Sequence, residues 1–291
     1  MIKKGIILAG GHGTRMSPVT KAVNKQLLPI YDKPLIYYPL SVLMLAGIKN
    51  ILIIVNKGQL EQFKKLIPNG KNLGIKINFE EQLYPGGLPE AFIIGEKFIK
   101  KDNVALILGD NFFYGQSLGL KLKECTKLKS GAKVLLYKVS KPELYGVAKI
   151  NKNKKIIKII EKPKKKISNL AVTGLYFFDN KVVKYSKNLK PSKRKEIEIV
   201  DLLNKYKHKK KLSADFISRG GAWLDTGSIE DFYNTSAFVS ALENRQGLKI
   251  ACLEEIAFNN NWINKTNIIN AIKFYGKCNY SHYLSTLIKK N

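Results

Sequence analysis

An apolar segment that ends in clustered glycines and a cation constrains the fold of this chain more than any other feature. Residues 5–15 read Gly-Ile-Ile-Leu-Ala-Gly-Gly-His-Gly-Thr-Arg. A short apolar run bounded by glycine is typical of a buried strand, and glycine lets the turn that follows approach a ligand closely. Backbone N–H groups in such a turn can bind an anion, and Arg15 can hold a phosphate with two hydrogen bonds. The segment predicts a phosphate-binding loop at the carboxyl end of a parallel strand.

The glycine loop matches neither of the common phosphate-binding signatures. It lacks the Gly-Lys-Ser/Thr ending of the NTPase loop. Met16 also stands where the dinucleotide fingerprint requires its third glycine. If the glycine loop is considered alone, it could therefore also be an ordinary strand-to-loop turn that is rich in glycine.

Size and composition favour a globular protein with a large core. A chain of 291 residues that is 45% hydrophobic can form one long α/β domain, or a domain with an appendage. No apolar run is long enough to cross a bilayer, and the first residues lack a secretory cleavage pattern. Cys125, Cys252 and Cys278 suit neither a disulfide framework nor a metal knuckle. We therefore expect a cytoplasmic protein.

The formal net charge of +29 suggests a nucleic-acid or membrane partner, but the kind of cation argues against it. Only four of the 51 basic residues are arginines, and arginine is the usual reader of phosphates and bases. The lysines are spread along the chain beside abundant isoleucine and asparagine, which indicates a coding bias on a solvated surface. We expect no nucleic-acid and no membrane partner. A nucleic-acid-binding protein without catalytic activity is the alternative.

The first half of the chain alternates apolar and amphipathic segments, the βαβ rhythm of an open parallel sheet. We predict strands at 5–9, 51–55, 75–80, 104–108 and 133–138, with helices near 35–46, 59–66, 89–98 and 117–127. Candidate strands at 147–150, 156–161, 172–178 and 212–217 follow and predict an inserted mixed sheet. From Ser228 onward the pattern is helical. The prediction is an α/β fold that binds ligands beyond the strand carboxyl ends.

Two carboxylates and a lysine are candidates for metal and phosphate binding. Lys25 follows the glycine loop and could neutralise phosphates, although it could also be a surface lysine. Asp110 ends the apolar run 106–108, where Mg²⁺ would meet a polyphosphate; a helix N-cap is the alternative. Asp225 is a second candidate metal ligand, with capping of the helix at Ser228 as its alternative.

The second half of the chain offers groups suited to a sugar phosphate. Glu161 can accept hydrogen bonds from sugar hydroxyls, and Lys162 can hold the phosphate; a surface ion pair is the alternative. The three histidines form no nucleophilic or metal-binding set. Together these residues predict nucleotidyl transfer, which needs positioning and charge neutralisation more than a covalent participant.

Many motifs, in order and over nearly the whole chain, resemble those of the glucose-1-phosphate thymidylyltransferases. They are Gly5–Arg15, Lys25–Pro34, Tyr37–Leu40, Leu108–Asn111, Tyr145–Val147, Glu161–Pro163, Val172–Tyr176, Trp223–Gly227, Arg245–Lys249 and Glu254–Phe258. The resemblance implies a Rossmann-like nucleotidyltransferase fold, with a domain at 1–238 and a helical extension at 239–291. It also implies a homotetramer with a separate feedback site.

The reaction implied by the resemblance is dTTP + α-D-glucose 1-phosphate → dTDP-glucose + pyrophosphate, leading to dTDP-rhamnose and related deoxysugars. The cofactor would be Mg²⁺ held by Asp110 and Asp225. Arg15, Lys25 and Lys162 would be catalytic. The nucleotide would bind to Leu8, Gly10, Gly11, Gly13, Thr14, Arg15, Lys25, Gln26, Gln82, Gly87 and Asp110. The sugar phosphate would bind to Tyr145, Gly146, Glu161, Lys162 and Val172.

The chain also departs from the pattern of this family. Pro89 and Glu90 stand where Ala-Gln is usual, near the base, and Lys149 replaces a glutamate. Gln116 and Asn259 replace a histidine and an arginine at positions associated with the feedback site. A sister transferase that uses UTP or another sugar phosphate is the nearest alternative.

Overall fold

The computed structural model describes residues 1–11 and 13–289. Its centre is a nine-stranded mixed sheet with the order β10-β9-β11-β6-β1-β4-β5, to which β8 and β12 add beside β11. Two short antiparallel pairs, β2–β3 and β7–β13, lie outside this sheet. The strands are β1 Lys4–Ala9, β2 Pro29–Ile30, β3 Lys33–Pro34, β4 Asn50–Asn56, β5 Lys76–Gln82, β6 Val104–Leu108, β7 Asn111–Gly115, β8 Ala132–Lys138, β9 Gly146–Ile150, β10 Ile156–Glu161, β11 Leu170–Phe178, β12 Leu212–Phe216 and β13 Gly221–Asp225.

Helices cover the sheet and form the C-terminal part. They are α1 Tyr37–Leu45, α2 Leu60–Leu66, α3 Glu90–Ile94, α4 Glu96–Ile99, α5 Leu118–Thr126, α6 Lys181–Lys187, α7 Ile199–His208, α8 Ile229–Gln246, α9 Leu253–Asn259, α10 Lys265–Tyr275 and α11 Asn279–Lys289. Within the described ranges, no helix is both long and apolar enough to cross a membrane.

The middle of the sheet is parallel and apolar on both faces. β1 pairs in parallel with β4 on one side and β6 on the other. Alternate residues enter different cores: Ile7 and Ile53 pack on one face, and Ile6 and Leu52 on the other. Burial on both faces explains the unbroken apolar runs in the sequence. The parallel strands therefore present their carboxyl ends at one edge, as predicted.

The inserted strands extend this same sheet. β11 pairs antiparallel with β6, β8 and β9, and β12 pairs in parallel with β8. The predicted α/β class with a mixed inserted part is therefore confirmed. Because β11 pairs with both β6 and β9, the inserted strands and the strand that leads into the glycine loop belong to one sheet.

The C-terminal helices pack around a buried carboxylate. Glu254, which is 2% exposed, accepts hydrogen bonds from the hydroxyls of Tyr275 at 2.9 Å and Tyr280 at 2.6 Å. These bonds connect α9 to α10 and α11. α8 passes without interruption through position 238, so no loop marks the predicted boundary between domain and extension, and that division stays a prediction.

Candidate active site

The glycine loop starts where β1 ends, at the carboxyl edge of the sheet. Gly11 (φ +104°) and Gly13 (φ +58°) have a left-handed backbone, which glycine adopts without the strain of a side chain. Asn56, at the end of β4, accepts from the Gly11 N–H at 2.8 Å and donates to its carbonyl oxygen at 3.0 Å. The neighbouring strand thus fixes the loop. His12 lies outside the described residues.

A cavity of about 370 Å³ opens beside this loop. Most of the predicted nucleotide residues border it, so the fold brings the glycine loop and Lys25 to one place although they are separated along the chain. Gln26 Oε1 is buried here with no hydrogen-bond partner among the described residues. The walls are Gly10, Gly11, Gly13, Thr14, Arg15, Lys25, Gln26, Pro85, Asp110, Glu196 and Gly227.

Lys25 is a buried partner of Asp110. Its side chain is 7% exposed, and its Nζ lies 2.6 Å from Asp110 Oδ2. Burial by itself would raise the pKa of Asp110, but the charge of Lys25 and hydrogen bonds from Lys25 and Asn111 hold that pKa below its usual range. A surface position for Lys25 is thereby excluded. β7 follows Asp110 directly, so this residue caps no helix.

The β7–β13 pair brings the two predicted metal ligands together. Asp225 pairs with Asn111 in the register, and the N–H of Thr226 donates to the carbonyl oxygen of Asp110 at 3.1 Å. Asn111 donates to Asp110 Oδ1 and accepts from the N–H of Gly174, each at about 3 Å. Ser228 caps α8 with its own side chain, which leaves Asp225 free of that structural role.

The charge balance at this pair of aspartates fits a divalent cation. Burial first, and then the charge of Asp110, raise the pKa of Asp225 to about 7, although Lys25 and Arg15 oppose the shift. One or two carboxylates, completed by phosphate oxygens, are the ligands that Mg²⁺ prefers. Within residues 1–11 and 13–289, no group of three or more acidic, His or Cys side chains could hold a metal ion, so phosphate and water oxygens would have to complete the coordination.

A second cavity, of about 320 Å³, lies on the other side of Arg15 and Asp110. All five predicted sugar-phosphate residues border it. Its lining includes Arg15, Asp110, Tyr145, Gly146, Glu161, Lys162, Val172, Tyr176, Arg194, Glu196, Glu198, Trp223 and Asp225. Arg15, Asp110 and Glu196 belong to both cavities, so the two spaces meet beside the aspartates.

Glu161, the last residue of β10, and Lys162, which follows it, lie at the wall of this second cavity. Burial raises the pKa of Glu161, against the opposing charge of Lys162. Lys162 has a left-handed backbone (φ +42°), and its N–H donates to the carbonyl oxygen of Tyr145 at 3.0 Å. A non-glycine residue in this conformation is strained by about 1–2 kcal/mol, and such strain clusters at functional sites.

The loop before α7 supplies residues that the sequence analysis missed. Arg194, Glu196 and Glu198 all line the second cavity. Arg194 Nη2 lies 2.8 Å from Glu198 Oε2 and 3.9 Å from Glu161 Oε1. A signal was available, because arginine is rare in this chain, but spacing along the sequence does not join residue 194 to residue 161.

Three predicted nucleotide residues border neither cavity. The carbonyl oxygen of Leu8 accepts a hydrogen bond from the N–H of Gly109 at 2.9 Å. Gln82 packs against Gly10, because a Cβ at Gly10 would collide with Gln82 Oε1. Gly87 (φ +99°) packs so closely on the backbone of Ile197 that no Cβ fits. These residues support the walls in this structure.

Comparisons with known proteins identify the family to which the chain belongs. The family model described as nucleotidyl transferase matches residues 4–241. A glucose-1-phosphate thymidylyltransferase of Neisseria meningitidis is 50% identical over 287 residues, covering 99% of this chain and 100% of that protein.

Solved structures share the fold. A Bacillus anthracis protein crystallised with sucrose is 41% identical, with a TM-score of 0.75, covering 81% of this chain and 94% of that one. A UDP-glucose pyrophosphorylase complexed with UDP-glucose is 28% identical, with a TM-score of 0.74, covering 84% of this chain and 100% of that one. The chain therefore belongs to the nucleotidyl transferase family, among the glucose-1-phosphate thymidylyltransferases, and it is a nucleotidyltransferase enzyme.

Proposed function

We propose that the protein transfers a thymidylyl group from dTTP to α-D-glucose 1-phosphate, giving dTDP-glucose and pyrophosphate. The observation that carries the proposal is that the two cavities meet at Arg15 and Asp110. A sugar phosphate in one cavity and a nucleotide in the other would place two anions side by side. The identity of 50% with a thymidylyltransferase supports the choice of substrates.

The nucleotide is assigned to the cavity beside the glycine loop. Arg15 and Lys25 border it and would neutralise the triphosphate and the departing pyrophosphate, because guanidinium and ammonium groups stabilise charge that develops on phosphoryl oxygens. The orphaned Gln26 Oε1 would accept a hydrogen bond from the bound nucleotide.

The sugar phosphate is assigned to the second cavity. Glu161 and the backbone of Gly146 and Val172 would hold the sugar, beside Tyr145. Lys162 would hold the phosphate and keep its oxygen aimed at the α-phosphorus. As that oxygen forms its bond, the bond from the α-phosphorus to the bridging oxygen breaks, and pyrophosphate leaves with the electron pair.

The aspartate pair is assigned to Mg²⁺. Asp110 and Asp225 would hold the ion, which would draw off negative charge from the phosphate oxygens of both reactants. The raised pKa of Asp225 supports this assignment, because Asp225 is buried beside the charge of Asp110 and a bound cation would stabilise its ionised form.

The wider setting of the reaction is also a proposal. We propose that the product feeds dTDP-rhamnose and related deoxysugars, that the enzyme works in the cytoplasm as a homotetramer, and that residues 1–238 form the catalytic domain with 239–291 as its helical extension.

A sister activity with UTP is the second candidate, since the structure also matches a UDP-glucose pyrophosphorylase with a TM-score of 0.74. Pyrophosphate release from dTTP, UTP, dCTP and GTP, each with glucose 1-phosphate and Mg²⁺, tests both. We expect dTTP to give the highest kcat/KM. Faster turnover of UTP would overturn the dTTP assignment, and no release from any of the four nucleotides would overturn the proposed reaction with glucose 1-phosphate.

A further inference from the structure

A further cavity, of about 350 Å³, lies between α1 and the C-terminal helices. We call it the C-terminal cavity. Its lining includes Tyr37 of α1, Leu253 and Glu254 of α9, and Ala271, Phe274 and Tyr275 of α10. No described residue that borders either active-site cavity also borders this one. Gln116 and Asn259, which the family resemblance associates with a feedback site, do not line it either. The C-terminal cavity is therefore a separate space.

Glu254 places a negative charge in the wall of this cavity without a positive partner. It is 2% exposed, and the described residues give it no ion pair. Its Oε1 accepts from the hydroxyl of Tyr275 at 2.9 Å, and its Oε2 accepts from the hydroxyl of Tyr280 at 2.6 Å and lies 4.0 Å from Cys252 Sγ. Hydroxyls and a thiol supply hydrogen bonds but no positive charge, whereas buried charges in proteins are normally paired. The wall of the cavity therefore favours a cation.

The carboxylate of Glu254 also has room for another donor. An ionised carboxylate has about four lone-pair sites, and the two tyrosine hydroxyls occupy one on each oxygen. A primary ammonium has three N–H donors and no acceptor. Its hydrogen bond to a carboxylate is charge-assisted, and so it is stronger than a bond between neutral groups. The polar end of a ligand that fits Glu254 is therefore an ammonium group.

The aromatic side chains of the cavity suit an apolar ring. Tyr37 and Tyr275 border the cavity, with their hydroxyl oxygens 3.4 Å apart. Phe274 packs edge-on against Tyr275, with ring centroids 5.2 Å apart, and is 79% exposed. Aromatic rings attract both cations and other rings. Because a cavity of about 150 Å³ already holds benzene, the C-terminal cavity has space for one ring with a short chain.

We propose that the C-terminal cavity binds an arylalkylammonium ion, with the ammonium group on Glu254 and the ring against Tyr37 and Phe274. A neutral molecule of the same shape would leave the charge of Glu254 unmatched, and an anion would be repelled by it. Both substrates of the proposed reaction are anions without an ammonium group. The cavity is therefore a second binding site, and it does not depend on the proposed function.

Isothermal titration calorimetry of the full-length protein with 2-phenylethylammonium and with neutral 2-phenylethanol, at pH 7, tests the proposal. We expect the wild type to bind the ammonium about tenfold or more tightly than the alcohol. Glu254→Gln keeps the shape of the side chain but removes its charge, so this variant should lose most of the preference. Glu255→Gln is the matched control and should retain it, because Glu255 also accepts from a tyrosine hydroxyl, at 2.8 Å, but does not line the cavity.

Ala271→Trp distinguishes this cavity from the acidic groups of the active site. Ala271 lines the cavity and is half-buried, so an indole at this position would fill the space and should weaken ammonium binding by about tenfold or more.

Four results would overturn the proposal. They are no saturable binding of the ammonium to the wild type, equal affinities for the ammonium and the alcohol, an unchanged preference in folded Glu254→Gln, and undiminished binding to Ala271→Trp. If Glu254→Gln fails to fold, the comparison of the two probes in the wild type and the result for Ala271→Trp decide.

Discussion

The ammonium of Lys25 lies 2.6 Å from Oδ2 of Asp110, although 85 positions separate the two residues in the sequence. This partly buried ion pair joins the segment after the glycine loop to the residues that follow β6. It also places the Lys25 cation at the cavity beside the glycine loop and the Asp110 carboxylate where the two cavities meet.

Removal of the Asp110 charge should reduce catalysis strongly. In Asp110→Asn, Lys25 loses its ionic partner and the assigned metal loses a charged ligand, so we expect kcat to fall by about a hundredfold or more. Pyrophosphate release across a Mg²⁺ titration measures this. Asp102→Asn, at a side chain 60% exposed beside Lys4, should retain full activity. Near-normal turnover of Asp110→Asn would remove Asp110 from the metal site.

Lys162 should matter for one substrate more than for the other. Because Lys162 borders only the second cavity, we expect Lys162→Ala to raise the KM for glucose 1-phosphate by about tenfold or more and to change the KM for dTTP little. Steady-state kinetics with each substrate varied in turn gives the comparison. Lys164→Ala, at an exposed lysine two residues away, is the control. An unchanged KM for the sugar phosphate would refute this role.

Gly87 should be intolerant of any side chain. A Cβ at Gly87 would overlap the backbone of Ile197, whereas at Gly58, also at positive φ (+80°), it would meet nothing within 4 Å. Gly58→Ala should therefore lose about 1 kcal/mol of unfolding free energy from backbone strain alone, and Gly87→Ala about 3 kcal/mol or more. Urea denaturation compares them. Equal losses of unfolding free energy in the two variants would mean that the loop before α7 can shift to admit the added methyl group.

A buried ion cluster predicts a stability that depends on pH. Lys33 is 2% exposed and pairs with Asp32 and with Glu243, and Lys249 bridges the same two carboxylates. Burial would raise the pKa of Asp32, but the charge of Lys33 and hydrogen bonds from Lys249 and Lys33 hold that pKa below its usual range.

The sign of this effect follows from proton binding. Between the two pKa values of Asp32 the unfolded chain binds more protons, so the stability from Asp32 is complete above about pH 4 to 5 and is lost as the pH falls through the native pKa. Asp32→Asn should be about 1–2 kcal/mol less stable at pH 7, with the difference shrinking in acid. Glu124→Gln, at an exposed pair, should show almost no effect. A loss for Asp32→Asn that stays constant down to pH 2 would contradict the prediction.

Local pattern was enough to predict the strands of the central sheet. The predicted strand at 104–108 has the observed bounds of β6, and the strand predicted at 5–9 matches β1 to within one residue. Apolar runs between turn residues report burial on both faces, which is a local property. The pairs β2–β3 and β7–β13 were not predicted. β2 and β3 have only two residues each, and β7 and β13 begin and end in Asn, Gly or Asp, residues that are typical of turns.

The sequence by itself determined the α/β class, the glycine loop at the end of the first strand and the identity of the charged candidates, because each is written in adjacent residues. Only the tertiary structure decided which of them meet. It buried Lys25 against Asp110, set Asp225 beside Asn111 and brought Arg194 to the second cavity. Contacts between residues that are far apart in the sequence depend on how strands pair and pack, and no local pattern encodes that pairing.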